Sequence, residues 1–266
     1  MMKTDFHTHC RFSQDSNGDP IAMVEAAIER GLSIVCFTDH VDIDFPEVLI
    51  TFDTAEYTEF FSKLREEYKD RIDIRMGVEV GLQPHIAAEN DAFVKSAPFD
   101  FVIGSTHVIE GLRPNSRRFT EYKERYELKE GVEAYLKDTL KNIQLFDNFD
   151  VYGHVDFLSR YTYDGIPFSY ADNSDLTDEI LRLLLAKGKG LELNTDGADV
   201  YGMGSPCDDV LKRYRELGGE IITLGSDAHS HKSIGNNIEW GLERLRQCGF
   251  RYFTVFKDRK PEFLSL

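Results

Sequence analysis

Short apolar runs rich in β-branched residues alternate along this chain with longer amphipathic stretches. Such alternation is expected where successive β-α units surround one parallel sheet. The predicted strands cover residues 4–7, 33–38, 72–80, 99–105, 150–154, 190–194 and 220–225, with a weaker candidate at 252–256. Seven strands separated by helices predict an α/β fold.

The intervening segments have the apolar stripe and polar outer face of helices that cover a barrel. They span residues 20–30, 54–69, 84–95, 120–146, 174–187, 206–217 and 237–247. The first is well delimited, because Asp19 suits the N-cap, Pro20 the first helical position and Gly31 the stop. A length of 266 residues is close to the roughly 250 of one β/α barrel. We therefore predict one domain over residues 1–266.

Composition restricts the location and the partners of the protein. The formal net charge of -16 disfavours non-specific nucleic-acid binding, which depends on Lys and Arg neutralising phosphates. The N-terminus has no apolar run long enough for a signal peptide or a membrane span, and the four cysteines show no paired spacing. These features predict a cytoplasmic protein without a membrane partner. They leave its oligomeric state unknown.

Residues that bind metals cluster at the ends of the predicted strands, and six of the eight histidines lie there. They are His7 and His9 at the first strand, Asp39 and His40 at the second, Glu79 at the third, His107 past the fourth, His154 at the fifth, and Asp227 and His229 after the seventh. The carboxyl ends of barrel strands meet at one face, where active sites are built. We therefore expect these residues to converge.

Imidazole suits zinc, iron or manganese, and a carboxylate can bridge two ions. Because alternate residues of a strand point to the same side, His7 and His9 would bind one ion together. A lone His-x-His pair is a weak signal. The matching residues at the other strand ends turn it into a prediction of a metal centre.

Six separated motifs contain these residues. They are Asp5-Phe6-His7-Thr8-His9 followed by Ser13 and Asp15, Phe37-Thr38-Asp39-His40, Gly77-Val78-Glu79, Gly104-Ser105-Thr106-His107, Gly153-His154-Val155-Asp156 and Gly225-Ser226-Asp227-Ala228-His229. In type and order they resemble the motifs of the polymerase and histidinol phosphatase (PHP) superfamily. The resemblance covers almost the whole chain. It implies a distorted (β/α)7 TIM-like barrel.

The resemblance also implies two or three divalent ions, of zinc, iron or manganese. The first would be bound by His7, His9, Glu79 and Asp227, with Glu79 bridging to a second at His107 and His154. Asp15, His40 and His229 would bind a third. Every position of this set holds a suitable ligand. This retention favours an enzyme over a non-catalytic metal-binding or interaction module.

Chain length and the tail 256–261 look like those of the histidinol-phosphate phosphatases of histidine biosynthesis. A hydroxide shared by two ions would attack phosphorus in line. Three ions at +6 and the carboxylates of Asp15, Glu79 and Asp227 at -3 leave roughly +3 to attract a small phosphorylated substrate. Glu79, Asp227 and His229 are the predicted catalytic residues. The donor of the leaving-group proton stays open among Asp227, His229 and a metal-bound water.

Arginine forks suit phosphate oxygens, so Arg117 and Arg118, in the loop after His107, and Arg160 are predicted to bind substrate. Such phosphatases tend to carry another arginine shortly after the sixth-strand Asn-Thr. This chain has Asp196-Gly197-Ala198-Asp199 there, acidic residues that would weaken phosphate binding or bind a substrate amine. A phosphoesterase acting on another small ester or on nucleotides is therefore the alternative.

Other polar residues near these motifs are assigned supporting or incidental roles. Asp39, and similarly Asp156, would orient a ligand histidine from behind rather than bind metal. His85 and His231 are expected to be loop histidines. Cys10 is expected to be an inert neighbour of the site.

Overall fold

The computed structural model describes residues 2–112, 128–158 and 168–266. Its strands are β1 (Thr4–Thr8), β2 (Ile34–Phe37), β3 (His40–Phe45), β4 (Val48–Ile50), β5 (Asp73–Gly81), β6 (Phe101–Ser105), β7 (Val151–Tyr152), β8 (Gly190–Asn194), β9 (Ile222–Gly225), β10 (Tyr252–Lys257) and β11 (Lys260–Ser265). Seven of them form a parallel sheet in the order β1-β2-β5-β6-β7-β8-β9. The predicted strands are the strands of this sheet.

The two ends of the sheet approach each other beside the first and last ligand motifs. Thr8 forms a parallel bridge with Ala228, and the amide of Asp227 donates to the His7 carbonyl at 2.8 Å. The His9 amide donates to the Ala228 carbonyl, also at 2.8 Å. The sheet thus nearly closes, which confirms the predicted TIM-like α/β barrel.

The helices cover the outside of the sheet. They are α1 (Pro20–Glu29), α2 (Thr54–Tyr68), α3 (Ala87–Val94), α4 (Leu128–Leu145), α5 (Ser174–Ala186), α6 (Ala198–Tyr201), α7 (Asp208–Glu216) and α8 (Ile238–Gln247). The Asp19 side chain accepts from the amide of Ile21 at 3.2 Å, as an N-cap should. In the described part of the chain no helix combines the length and apolarity needed to cross a membrane.

Two hairpins depart from a simple β-α alternation. The β3–β4 hairpin follows the second barrel strand, and β3 also pairs with β5. The weaker strand candidate is a strand, β10, but it pairs with β11 in a separate sheet. This second hairpin covers the amino ends of the barrel strands, where Arg75 donates to the Phe256 carbonyl at 3.1 Å. The hairpin thus covers the base of the barrel, at the amino ends of the strands. The carboxyl ends of the strands form the open mouth.

An ion pair outside the barrel mouth links α5 to α7. Asp178 accepts from Nε and Nη2 of Arg213 at 2.9 and 2.7 Å, and from the Tyr170 hydroxyl at 2.7 Å. Hydrogen bonds from Arg213 lower the pKa of Asp178 from its ordinary 3.8 to about 2. The carboxylate therefore stabilises the fold above about pH 4, and this contribution disappears as the pH falls towards 2.

Asp178→Asn is expected to lower the Tm at pH 7 by roughly 2–6 °C, because charge-assisted hydrogen bonds to Arg213 are lost. Thermal melts of both proteins should show this gap narrowing below pH 4. Asp209→Asn, which removes an exposed carboxylate of α7 that lies 3.8 Å from Lys212, should change the Tm little. A gap of constant size down to pH 2 would contradict the assignment.

Candidate metal centre

The open mouth of the barrel brings the predicted ligands of the first ion together. Glu79 Oε2 lies 3.2 Å from His7 Nε2 and 3.6 Å from His9 Nε2. Asp227 Oδ1 lies 3.6 and 3.2 Å from the same two nitrogens. Donor atoms arranged tetrahedrally about 2.1 Å from one ion lie about 3.4 Å apart, so these four side chains fit a shared cation.

The other oxygen of Glu79 faces a second group. Oε1 lies 3.2 Å from His107 Nε2 and 3.0 Å from His154 Nε2, and it accepts from the Ser105 hydroxyl at 2.7 Å. One carboxylate therefore connects the two groups. This is the arrangement that a bridging ligand requires.

A third group lies nearer to solvent. Asp15 Oδ2 is 3.6 Å from His40 Nε2 and 3.5 Å from His229 Nε2. The pairing of β3 with β5 sets His40 directly opposite Glu79, and its Nδ1 lies 2.9 Å from Glu79 Oε2. The structure thus gathers all nine predicted ligands, with the third group the most exposed.

Hydrogen bonds fix the orientation of several histidine rings. Asp42 Oδ1 contacts His107 Nδ1 at 2.9 Å, and the Ser13 hydroxyl contacts His9 Nδ1 at 3.1 Å. The Asp227 carbonyl contacts His229 Nδ1 at 2.8 Å. Each contact leaves Nε2 free to bind a cation, as expected for the outer partner of a metal-binding histidine.

Several buried polar atoms in the centre have no hydrogen-bond partner within the described part of the chain. They include His7 Nε2, His9 Nε2, His40 Nδ1 and Glu79 Oε2. Buried polar atoms are rarely left unsatisfied in proteins. Because these atoms face one another in the groups above, bound cations would satisfy them, and the residues present fit a metal cluster.

Strong electrostatic coupling accompanies this burial. Burial alone would raise the pKa of Glu79, but neighbouring histidines, His7 first, hold it well below its ordinary value. Burial alone would lower the pKa of His7, yet Glu192 and Glu79 raise it well above the usual range. The buried carboxylates therefore favour a positive charge beside them, which a divalent cation bound between these side chains would supply.

Two of the predicted ligands have unusual backbone conformations. His154 has a φ of 23° and Asp227 a φ of 56°, in the left-handed region that residues other than glycine seldom adopt. The loop of Asp227 is held by Asp5, which accepts from the amides of Ser226 at 2.9 Å and Gly235 at 2.7 Å. Strained residues of this kind cluster at functional sites.

Sequence reasoning missed two buried carboxylates behind the ligands. Asp42 lies in the unpredicted β3–β4 hairpin and contacts His107, as described above. Glu192 lies inside β8, and its Oε1 is 2.5 Å from His7 Nδ1. A charged residue flanked by two leucines in a buried strand was the available signal for Glu192.

The predicted supporting residues occupy varied positions. Asp39 accepts from the Ser13 hydroxyl at 2.8 Å, and Ser13 in turn contacts His9, so Asp39 acts on that ring through one intermediary. Asp156 differs, since it accepts from the Cys207 amide at 2.8 Å and thus anchors a loop. Burial raises the pKa of the Cys10 thiol well above its ordinary value, which suits an inert neighbour.

The remaining predicted residues are two exposed histidines and three arginines outside the described part of the chain. His85 is exposed and pairs with Asp44 at 2.7 Å, and His231 is exposed. Arg117, Arg118 and Arg160 lie outside the described residues. Their proposed contacts with substrate stay predictions.

The chain folds as a nearly closed α/β barrel, with clusters of imidazoles and carboxylates at the carboxyl ends of its strands. This combination is typical of TIM-like barrels whose active sites bind metal ions. The PHP domain family model matches residues 5–196. The chain belongs to the PHP domain family.

Full-length relatives carry a common name. A histidinol-phosphatase of Lactococcus lactis is 35% identical over 261 residues, covering 98% of this chain and 96% of the relative. A probable histidinol-phosphatase of Clostridium acetobutylicum is 31% identical over 262 residues, covering 97% and 98%. The crystal structure of the L. lactis histidinol phosphate phosphatase, complexed with zinc, L-histidinol and phosphate, matches with a TM-score of 0.90 and 34% identity over 98% of each chain.

Proposed function

We propose that this chain is a metal-dependent phosphatase that hydrolyses L-histidinol phosphate to L-histidinol and phosphate. The observation that carries the proposal is the convergence of nine donor side chains in one mouth of a chain that aligns over 98% of its length with a histidinol-phosphatase. As a biosynthetic enzyme, it would work in the cytoplasm.

The proposed centre contains two or three divalent ions, with zinc favoured because the L. lactis structure contains it. His7, His9, Glu79 and Asp227 would bind the first ion, His107 and His154 with Glu79 the second, and Asp15, His40 and His229 the third. When bound, such ions lower the pKa of a water ligand and neutralise phosphate oxygens. Iron or manganese would suit the same donors.

The chain's own residues shape the substrate site. A cavity of 210 Å³ opens at the centre, and Asp15, His40, His107, His154, Asp227 and His229 line it. Asn194 donates to Asp227 Oδ2 at 3.1 Å, which keeps the other oxygen directed at His7 and His9. Asp227 and His229 are thus proposed ligands that also line the cavity, where either of them or a metal-bound water would donate a proton to the departing alkoxide.

We propose that residues 1–266 form one catalytic domain. The family match ends at residue 196, yet Asp227 and His229 lie beyond it, after β9. β9 pairs with β8 and approaches β1, so both parts of the chain build one mouth. The site is incomplete without either part.

A phosphate-release assay tests this proposal. Its substrates are histidinol phosphate, a panel of other monoesters including nucleotides, and a dinucleotide. Histidinol phosphate should have the highest kcat/KM, and His7→Ala and Asp227→Ala should reduce turnover by about 10³-fold or more, since each removes a donor of the first ion. Folded variants with wild-type turnover would refute the site. Preference for another ester would refute the substrate, and metal binding without hydrolysis would favour a non-catalytic module.

The β3–β4 hairpin gives the cavity an apolar side suited to the imidazole ring of histidinol phosphate. Phe45 and Ile50 of this hairpin and Phe157 line the cavity. The neighbouring Leu49 is 61% exposed. Because the hairpin also contains His40 and Asp42, its apolar residues Phe45 and Ile50 are held beside the proposed ligands.

Ile50→Ala is expected to raise the KM for histidinol phosphate roughly 3- to 10-fold with little change in kcat, because apolar area buried by the ring is lost. The KM for glycerol phosphate, which has no ring, should stay near wild type. Leu49→Ala is the matched control and should change neither value. Equal effects of Ile50→Ala on both esters would contradict this role.

A further inference from the structure

Glu192 occupies the middle of β8 with 1% of its surface exposed. A carboxylate buried to this degree needs partners, because desolvation of an unpaired charge is costly. Its Oε1 lies 2.5 Å from His7 Nδ1, and its Oε2 accepts from the backbone amide of His154 at 3.0 Å. One side chain therefore contacts a ligand of the first group and a ligand of the second.

A glycine makes room for this carboxylate. A Cβ at Gly225 would lie 2.6 Å from Glu192 Oε1 and 2.2 Å from the Cβ of His7. Gly225 has no positive φ, so close packing rather than backbone freedom explains the glycine. Strand β9 thus leaves the space that Glu192 Oε1 occupies beside His7.

We propose that Glu192 is a positioning residue that couples the two metal-ligand groups joined by Glu79. Through Oε1 it holds the His7 ring with Nε2 directed at Glu79 and Asp227. Through Oε2 it holds the amide of His154, whose φ of 23° needs such support. The inference rests on the proposed metal centre and adds a residue behind it.

The two contacts of Glu192 indicate that its side chain positions other groups and does not merely fill space. An anionic oxygen against Nδ1 makes His7 a better metal donor, as carboxylates behind ligand histidines do. Since Glu192 lies behind His7, outside the described lining of the cavity, it should affect metal binding and kcat more than KM.

Two substitutions distinguish the effect of the negative charge of Glu192 from the effect of its side-chain length. Glu192→Gln keeps the length and an oxygen for the His154 amide but removes the charge that faces His7. Glu192→Asp keeps the charge but is too short to span both contacts. Asp100→Asn is the control, because Asp100 is a buried carboxylate at the covered base of the barrel, where it accepts from the Met76 amide at 2.9 Å.

The measurement is zinc binding to purified, folded protein, by competition with a chelating indicator and by metal analysis after dialysis. Glu192→Gln and Glu192→Asp should each bind zinc about 10- to 100-fold more weakly, and kcat should recover partly as zinc is raised. KM should stay within about twofold of wild type. Asp100→Asn should retain wild-type zinc affinity.

Wild-type zinc affinity in either folded Glu192 variant overturns the proposal, since a space-filling residue would give that result. If one variant does not fold, the other decides. Zinc affinity is measured without substrate, so it tests Glu192 independently of the phosphatase assignment. Weakened zinc binding in a protein that does not hydrolyse histidinol phosphate would refute the substrate and support the positioning role.

Discussion

Glu79→Gln is expected to reduce turnover of histidinol phosphate by about 10³-fold or more and to lower the zinc content of the purified protein. Glu79 is fully buried, and its two oxygens face different ligand groups, at 3.2 Å from His7 and 3.0 Å from His154. The amide of glutamine is neutral and presents only one oxygen. Loss of a bridging charge removes several kcal/mol of charge stabilisation, which corresponds to this reduction.

The matched control is Glu89→Gln on α3, the helix that follows β5 along the chain. Glu89 is exposed, so its amide should leave kcat, KM and zinc content near wild type. Circular dichroism and thermal melts would establish that Glu79→Gln is folded. A folded Glu79→Gln protein with turnover within tenfold of wild type would remove Glu79 from the centre of the mechanism.

The fold and most of the predicted ligand positions follow from local patterns, whereas Asp15 was implied only by the resemblance to the PHP superfamily. Strand ends are visible as the point where an apolar run meets a polar residue, as at Tyr152-Gly153-His154, and Glu79 lies two residues before the end of β5. Parallel strands in a barrel place those ends at one mouth. A local pattern and one topological rule therefore located side chains separated by more than 200 residues.

The residues behind the ligands depend on contacts that a local pattern does not encode. Asp42 contacts His107 because β3 pairs with β5. This pairing involves only two pairs of residues, and β3 is not one of the seven strands of the barrel. Glu192 looked like an interior residue of a strand, and its partners come from β1 and from the turn after β7. Gly225, which leaves space for Glu192, was interpreted only as part of a motif.

Sequence reasoning also treated the end of the chain too simply. The segment 252–256 was a weak candidate for one more strand, and the structure makes it half of a hairpin over the amino ends of the barrel strands. Its position depends on long-range contacts such as that of Arg259 Nε with Asp150 at 2.6 Å. Strand propensity alone does not distinguish a barrel strand from a covering hairpin.

Removal of the metal ions is expected to lower the Tm by about 10 °C. Ligands that bind only the folded state stabilise it by about 4 kcal/mol at 1,000 times the dissociation constant, and 1 kcal/mol corresponds to roughly 2–4 °C for a domain of this size. The physical reason is local. His7, His9 and Glu79 are fully buried, and their facing atoms lack hydrogen-bond partners in the described structure, so bound ions would satisfy polar groups that other residues do not.

Thermal melts of zinc-loaded, chelator-treated and zinc-refilled protein measure this effect. Refilling should restore the Tm, and His7→Ala should lose a large part of the zinc-dependent shift because it removes a donor from the first group. His85→Ala, which removes an exposed histidine paired with Asp44, should keep the whole shift. If the Tm is the same with and without zinc, the buried histidines and carboxylates satisfy one another without an ion, and the metal centre is wrong.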